Sequence, residues 1–386
     1  MASLQQPFTM NRSAFPLRSP LCLALALASL LTFAHDVRAS DVPGLPEAAA
    51  GRIEPWQPRP GRARPVVAVV GENSGTELVD FMIPYGVLAD SGVADVIALG
   101  TEAGPIQMRP ALRVQPQQTL SGFDDASPQG ADYVVVPAFT EDKVHDPVLI
   151  AWLRAQSAKG ATVVSICDGA LVVANAGLFD GHRATGHWAT QGQRESEHPG
   201  TRWQRNVRYV ADGKVVSSAG VSAAIPTSLA LVEAIGGTDL ARQVAARLGT
   251  DGWSDRHDSD RFGIGAETVF TYVGNRYLWR TEQLVVTVAD AVDDIALALT
   301  LDAYGRTMRG RVAIRSESGA PVQSSHGLQL LPAQAGGASP ARELAIPAGA
   351  SLAALDKALA DIGQRYGRAT ERYVELEMEY AAGETR

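Results

Sequence analysis

Cysteine is almost missing from this chain: 386 residues contain two, Cys22 and Cys167. That excludes a disulfide framework, and no cysteine pair has the spacing of a zinc ribbon or finger. Long apolar runs are also missing. The longest lies between Leu21 and Ala34, is broken only by Ser29 and Thr32, and spans 14 residues. A bilayer-crossing helix needs about 20. Positive charge is in deficit, with 34 Lys+Arg against 42 Asp+Glu and a net charge of −8. A nucleic-acid partner therefore has no overall electrostatic support. What remains is ordinary globular composition, 46% hydrophobic and 20% charged, long enough for two or three domain-sized units.

The short apolar run reads as the core of a secretory signal over residues 1–39. Arg12 and Arg18 precede it, and Val37-Arg38-Ala39 follows as a small-residue cleavage site. Cleavage there removes three arginines and Asp36, taking the net charge from −8 to −10. It also removes Cys22, leaving Cys167 as the lone thiol of a periplasmic or secreted protein with no stable membrane span. An uncleaved segment would instead anchor the chain. A lone thiol in an oxidising compartment is either buried and inert or reactive.

Residues 40–64 are rich in Pro, Gly and Arg and read as an extended linker. Strand patterns then alternate with helical ones. Val66–Val70 is apolar on both faces, as a covered parallel strand must be. Helical spacing follows over 77–88. Further strands are expected at 96–99, 133–136, 162–166 and 215–218, with helices at 149–158, 170–176 and 226–235. This order predicts an α/β fold: an open, mostly parallel sheet with helices on both faces, extending over 65–248. Residues 249–280 form an acidic loop and connector. Its Asp251, Asp255, His257, Asp258 and Asp260 fit no calcium-loop spacing and read as a solvated loop, with a lid role open. Over 281–386 the α/β pattern returns as a degenerate half-repeat. At an offset of 216, Val96–Pro116 aligns with Val312–Pro332 without a gap, and 66–88 aligns with 283–304 if about two residues of slippage are allowed. The copy has no cysteine, and Asp80 meets Ala296, so it is expected to be catalytically inert and to cover a surface a second subunit would otherwise occupy. Residues 351–380 read as helix broken near Gly367.

The chemistry-bearing feature is Ser165-Ile166-Cys167-Asp168-Gly169. A strand runs into a helix through a cysteine, with small residues two before and two after it, as a tight nucleophile elbow requires. Such a turn lifts the thiol to the carboxyl end of the sheet, where ligands bind in open α/β folds. A helix N-terminus beside sulfur favours thiolate. A small buried core cysteine is the competing reading of the same five residues.

The stretch from Ser165 to Trp188 resembles the DJ-1/PfpI superfamily, whose fold is that of class I glutamine amidotransferases. It is most similar to isocyanide hydratases and the sensor domains of AraC-type regulators. Cys167 and Gly169 match the elbow, Ala176–Gly181 the helix end, and Arg183–Trp188 the following strand. Glu77–Pro84 resembles the first-helix motif that carries an acid facing the cysteine. Ser218–Val221 with Leu229–Glu233 resembles the last strand and helix. The resemblance implies Cys167 as nucleophile, Asp80 as the carboxyl that bonds the sulfur, and His187 as a nearby histidine. Asp168 and Cys167 would supply oxyanion N–H groups, and Gly169, Phe139 and Trp188 would shape the pocket. Two departures stand out. The usual Gly-Gly after the third strand is replaced by Ala138-Phe139, leaving Ala138 as the remaining donor there. The helix-turn-helix pair of the regulators is replaced by the half-repeat.

Together these readings predict an exported cysteine-dependent hydrolase or lyase for a small electrophilic substrate, of the isocyanide hydratase or amidase/deglycase kind. A non-catalytic ligand-binding or sensor protein and a redox-responsive protective protein remain as alternatives. A small molecule is the expected partner, nucleic acid is not, no cofactor or metal is expected, and the chain would be a monomer or homodimer.

Overall fold

A computed structural model describes residues 51–333 and 341–380. The expected signal segment lies outside these residues. The chain enters with a stretch, 51–64, that has neither helix nor strand but does not hang free. Ile53 is buried, the Trp56 N–H donates to the Ala234 carbonyl, and Arg59 and Arg62 both pair with the buried Asp132.

The strands are β1 (Val66–Gly71), β2 (Thr76–Glu77), β3 (Asp95–Gly100), β4 (Ile106–Arg109), β5 (Arg113–Gln115), β6 (Gln118–Thr119), β7 (Tyr133–Val136), β8 (Thr162–Ser165), β9 (Arg183–Ala184), β10 (Arg202–Trp203), β11 (Tyr209–Asp212) and β12 (Val215–Ser218). The helices between them are α1 (Leu78–Ser91), α2 (Leu120–Ala126), α3 (Pro147–Ala158), α4 (Gly169–Asn175) and α5 (Gln191–Glu197), followed by α6 (Ala224–Gly236) and α7 (Thr238–Leu248). Seven strands form the main sheet in the order β11-β12-β8-β7-β1-β3-β6. Every neighbouring pair is parallel except β11 with β12. The β1, β7 and β8 residues are apolar on both faces because a buried apolar cluster covers each face of the sheet. This is the flavodoxin-like α/β fold expected.

After the 249–265 loop come α8 (Ala266–Val273), β13 (Glu282–Thr287), α9 (Asp294–Arg306), β14 (Gly310–Arg315), β15 (Val322–Gln323), β16 (Gln329–Leu331), β17 (Arg342–Glu343), α10 (Ala353–Tyr366) and α11 (Arg368–Glu377). The break between the last two helices falls at Gly367, whose φ is 90°. Helix α1 is buried nearly all round, which a surface helix would not be. It packs against α6 and α9, so the C-terminal segment covers it. A second sheet, β15-β16-β5-β4-β2, joins strands from both ends of the chain. Among the described residues no helix is long and apolar enough to cross a membrane.

Candidate active site

Parallel strands bring their carboxyl ends to one edge, and the chain leaves that edge four times near one point. After β8 comes Cys167. After β1 comes α1 with Asp80. After β7 comes Ala138, and after β12 come Ala219 and Gly220. The elbow is present in its strained form: Cys167 has φ 55°, a left-handed conformation costly for a residue with a side chain. Gly169 cannot be anything larger, since a Cβ there would lie 2.0 Å from the Val136 carbonyl oxygen. The helix starts hard against β7, and this contact holds the turn in place.

Cys167 is 5% exposed and Asp80 is fully buried. Asp80 Oδ2 accepts the Ala138 N–H at 3.2 Å, while Oδ1 has no hydrogen-bond partner. Burial raises the Asp80 carboxyl well above the usual range, and the neighbouring Glu77 raises it further. Oδ1 is the oxygen open to a proton. Burial also pushes the Cys167 thiol well up, and the carboxylates of Asp80, Asp168 and Glu77 push the same way. These influences oppose the helix-stabilised thiolate expected. The dipole of the seven-residue α4 favours thiolate, and loss of water and the nearby acids work against it.

The expected oxyanion donors are mostly committed. The Ala138 N–H serves Asp80, so it is not the open donor expected there. The Cys167 N–H points to Ser218 Oγ at 3.4 Å. Among the described residues the Asp168 N–H has no acceptor, as befits an N-cap position. Phe139 does not stand at a pocket mouth: it is buried within the apolar cluster that holds Leu171 and Phe179. Trp188 is half-buried, with its Nε1–H donating to the Leu376 carbonyl at 3.4 Å.

His187 caps the short turn Trp188–Thr190, and its Nδ1 accepts the Ala189 N–H at 3.4 Å. In the neutral ring the proton is then on Nε2, a buried atom without a partner. One ligand atom each of Cys167, Asp168 and His187 lie within 4.8 Å of one another, the one group among the described residues with metal-ligand proximity. Two of its ligand atoms are engaged: Asp168 Oδ1 accepts the Thr190 hydroxyl at 2.5 Å and stands 3.8 Å from the Arg194 guanidinium, and His187 Nδ1 accepts from the backbone.

Four charged residues reach the site from beyond α7. Glu379, buried and at φ 50°, accepts the Gly220 N–H at 2.5 Å and pairs with His257 Nε2 at 2.8 Å. A Cβ on Gly220 would lie 2.1 Å from Glu379 Oε2 and 2.6 Å from His187 Cδ2, so the glycine lets both side chains converge. Burial opposes ionisation of Glu379, but the His257 hydrogen bond, the nearby His187 ring and the Gly220 N–H hold its carboxyl below the usual range. On the Asp80 side, Arg306 pairs with Glu77, and its Nε donates to Asp302 at 2.8 Å. Burial raises the Asp302 carboxyl to about 7. The spacing of Asp302 and Arg306, four apart on one helix, marks a possible ion pair in the sequence, but nothing local shows that it faces Asp80. His257 belongs to the acidic loop yet turns inward, away from the solvated role expected of that loop.

A mostly parallel α/β sheet with a strained cysteine elbow, a buried carboxyl and a histidine at one edge defines an amidotransferase-like cysteine protein. The DJ-1/PfpI family profile matches residues 66–234. An isonitrile hydratase of Pseudomonas putida is 30% identical over 178 residues, covering 44% of this chain and 72% of that protein. The chain belongs to the DJ-1/PfpI family. The HTH-type transcriptional regulator CdhR of Pseudomonas aeruginosa is 29% identical over 166 residues, 43% of this chain but 48% of the regulator. The Parkinson disease protein 7 homolog of Danio rerio is 26% identical over 179 residues, 45% of this chain and 92% of that one. Among solved structures, Drosophila melanogaster DJ-1beta is 21% identical, with a TM-score of 0.44, covering 48% of this chain and 97% of its own.

Proposed function

We propose that this protein is an exported enzyme that uses Cys167 against a small electrophilic carbon, as a hydrolase or lyase of the isonitrile hydratase kind. The observation that carries this reading is the left-handed Cys167 elbow set near a fully buried Asp80 whose Oδ1 has no partner. Holding cysteine at φ 55° costs on the order of 1–3 kcal/mol, a strain that the competing reading, a small core cysteine, gives no reason to retain.

The protonation state narrows the chemistry. The thiol keeps its proton at rest, so attack requires that proton to leave as the sulfur–carbon bond forms. A carbon that accepts both sulfur and a proton, as an isocyanide carbon does, suits such a site. S–H adds across that carbon to give a thioimidate. Water then adds to it and expels the thiol, leaving a formamide, with one water consumed. The Asp168 N–H and the His187 Nε2–H are the donors left to stabilise negative charge at nitrogen. The committed N–H groups of Ala138 and Cys167 favour a second reading, a ligand-binding protein that keeps the pocket without turnover.

The test follows the infrared stretch of a small alkyl isocyanide in the presence of the wild type, Cys167→Ser and Asp80→Asn, alongside Cys167 alkylation against pH. Turnover that disappears in Cys167→Ser and falls at least tenfold in Asp80→Asn supports the enzyme. Saturable binding without consumption would transfer the assignment to the ligand-binding reading.

A further inference from the structure

The C-terminal segment repeats the opening of the family domain residue for residue at one offset. Strand β13 begins at Glu282 where β1 begins at Val66, helix α9 at Asp294 where α1 begins at Leu78, and β16 spans 329–331 where β5 spans 113–115. All three differ by 216, so the slippage expected over 66–88 is not needed. Finer features obey the same offset. The parallel bridge Thr76↔Met108 recurs as Val292↔Ser324. The Met108 N–H donates to the Leu112 carbonyl at 3.0 Å, and the Ser324 N–H to Leu328 at 2.8 Å. The left-handed residue after the helix is Gly92 at φ 67° in one and Met308 at φ 58° in the other. A methionine pays for that conformation where glycine does not, so its retention marks an inherited backbone path.

The two copies also meet in a symmetric way. Strands β5 and β16 pair antiparallel with Arg113↔Leu331, Val114↔Leu330 and Gln115↔Gln329. Under the offset, Val114 faces its own counterpart, and the two flanking pairs exchange places. A two-fold axis therefore passes between Val114 and Leu330. Helices α1 and α9 pack on one another across it. Pro110 crowds Gly305, and its counterpart His326 reaches Asp90, at 3.9 Å, one residue past the counterpart of Gly305. Self-complementary contact of one patch with its own copy is the signature of an isologous dimer interface.

We propose that residues 282–331 are a built-in second subunit: a partial copy of 66–115 that occupies its own parent's two-fold face and completes the Cys167 site in cis through Arg306. The copy carries no acid at the position of Asp80, where Ala296 stands, and it ends before any elbow. Its Arg306 pairs with Glu77, directly beside Asp80, and is the buried cation that opposes the carboxylates acting on Cys167. Arg306 is a positioning residue: it sets the charge balance around the thiol without touching a substrate. That second part rests on the Cys167 reading above.

Two arms test the proposal on the full chain. In a Cys22→Ser, Cys167→Ser background, Gln115→Cys with Gln329→Cys is treated with a short bis-maleimide. A crosslinked product of monomer size, with sedimentation velocity showing one species near the chain mass of 40.8 kDa, is expected. A dimer-sized product, or two reactive thiols that do not link, would overturn the built-in partner. In the second arm the pH midpoint of Cys167 alkylation is measured for wild type, Arg306→Gln and Arg306→Lys, with circular dichroism as the check on folding. Arg306→Gln is expected to raise the midpoint and slow alkylation at pH 8 at least threefold, with Arg306→Lys recovering most of the rate. A folded Arg306→Gln with the wild-type profile refutes the positioning role. A wild-type thiol silent at every pH removes the Arg306 assignment together with the proposed function, while the crosslink still decides the copy.

Discussion

Replacing Asp302 with Asn should change how stability depends on pH more than it changes stability itself. Asp302 is fully buried on α9. One oxygen accepts from Arg306 Nε at 2.8 Å, and the other has no partner. Burial and the nearby Glu77 raise its carboxyl from 3.8 to about 7 despite Arg306. The folded chain therefore holds a proton that the unfolded chain releases between those two values. Stability from this group is full below pH 4 and is lost as pH rises toward 7, because the native state binds more protons across that window. The full loss, from the two values, is ~4 kcal/mol. Asn cannot ionise, so the variant escapes the loss. Urea unfolding at pH 4.5 and pH 8 measures both proteins. The variant should gain on the wild type by up to ~3 kcal/mol between the two conditions, since part of the loss is already taken at pH 4.5. A wild-type-to-variant difference that stays constant across this range would refute the buried, proton-holding Asp302 and with it the acid cluster around Asp80.

Two further predictions bear on the site. Gly169→Ala places a methyl carbon 2.0 Å from the Val136 carbonyl oxygen, so the elbow must move away from β7. A loss on the order of 1–3 kcal/mol is expected in urea unfolding, together with a changed Cys167 alkylation rate; an unaltered rate would show that the turn is not held by that contact. Glu379→Gln weakens the acceptor for both His257 Nε2 and the Gly220 N–H, and leaving a buried polar group poorly satisfied typically costs about 1–3 kcal/mol. A melt within about 0.5 kcal/mol of wild type, the range of an uninvolved surface position, would mean that the pair is not formed.

The elbow was legible from five residues because its requirements are local. A β strand, a tight turn and a helix start need small side chains two before and two after the nucleophile, and Ser165 and Gly169 satisfy that spacing. The boundaries of β1, β7, β8 and β12 were legible because parallel strands covered on both faces must be apolar throughout. Helix α1 was visible by spacing, and Asp80 within it only through its motif. The electrostatics was not legible. Whether Cys167 rests as thiol or thiolate depends on which charges share its dry surroundings, and Glu77, Asp80, Asp168 and Arg306 arrive there from separate stretches of chain. Likewise, the Ala138 N–H is a free donor in any local reading, and only folding puts Asp80 against it.

Sequence by itself thus determined the sheet, the elbow, the family and the existence of a second, weaker α/β unit, because each is written in spacing over a few neighbouring residues. That this unit covers a subunit-like face was an expectation from the repeat, and the contacts by which we propose it does so exist only in the tertiary structure. The two-fold register at Val114 and Leu330, the placement of Arg306 beside Glu77, and the approach of Glu379 to His187 join positions more than 150 residues apart. No periodicity reports such contacts. They follow from long-range packing of two apolar helices, and the charges they carry act strongly because that packing excludes water.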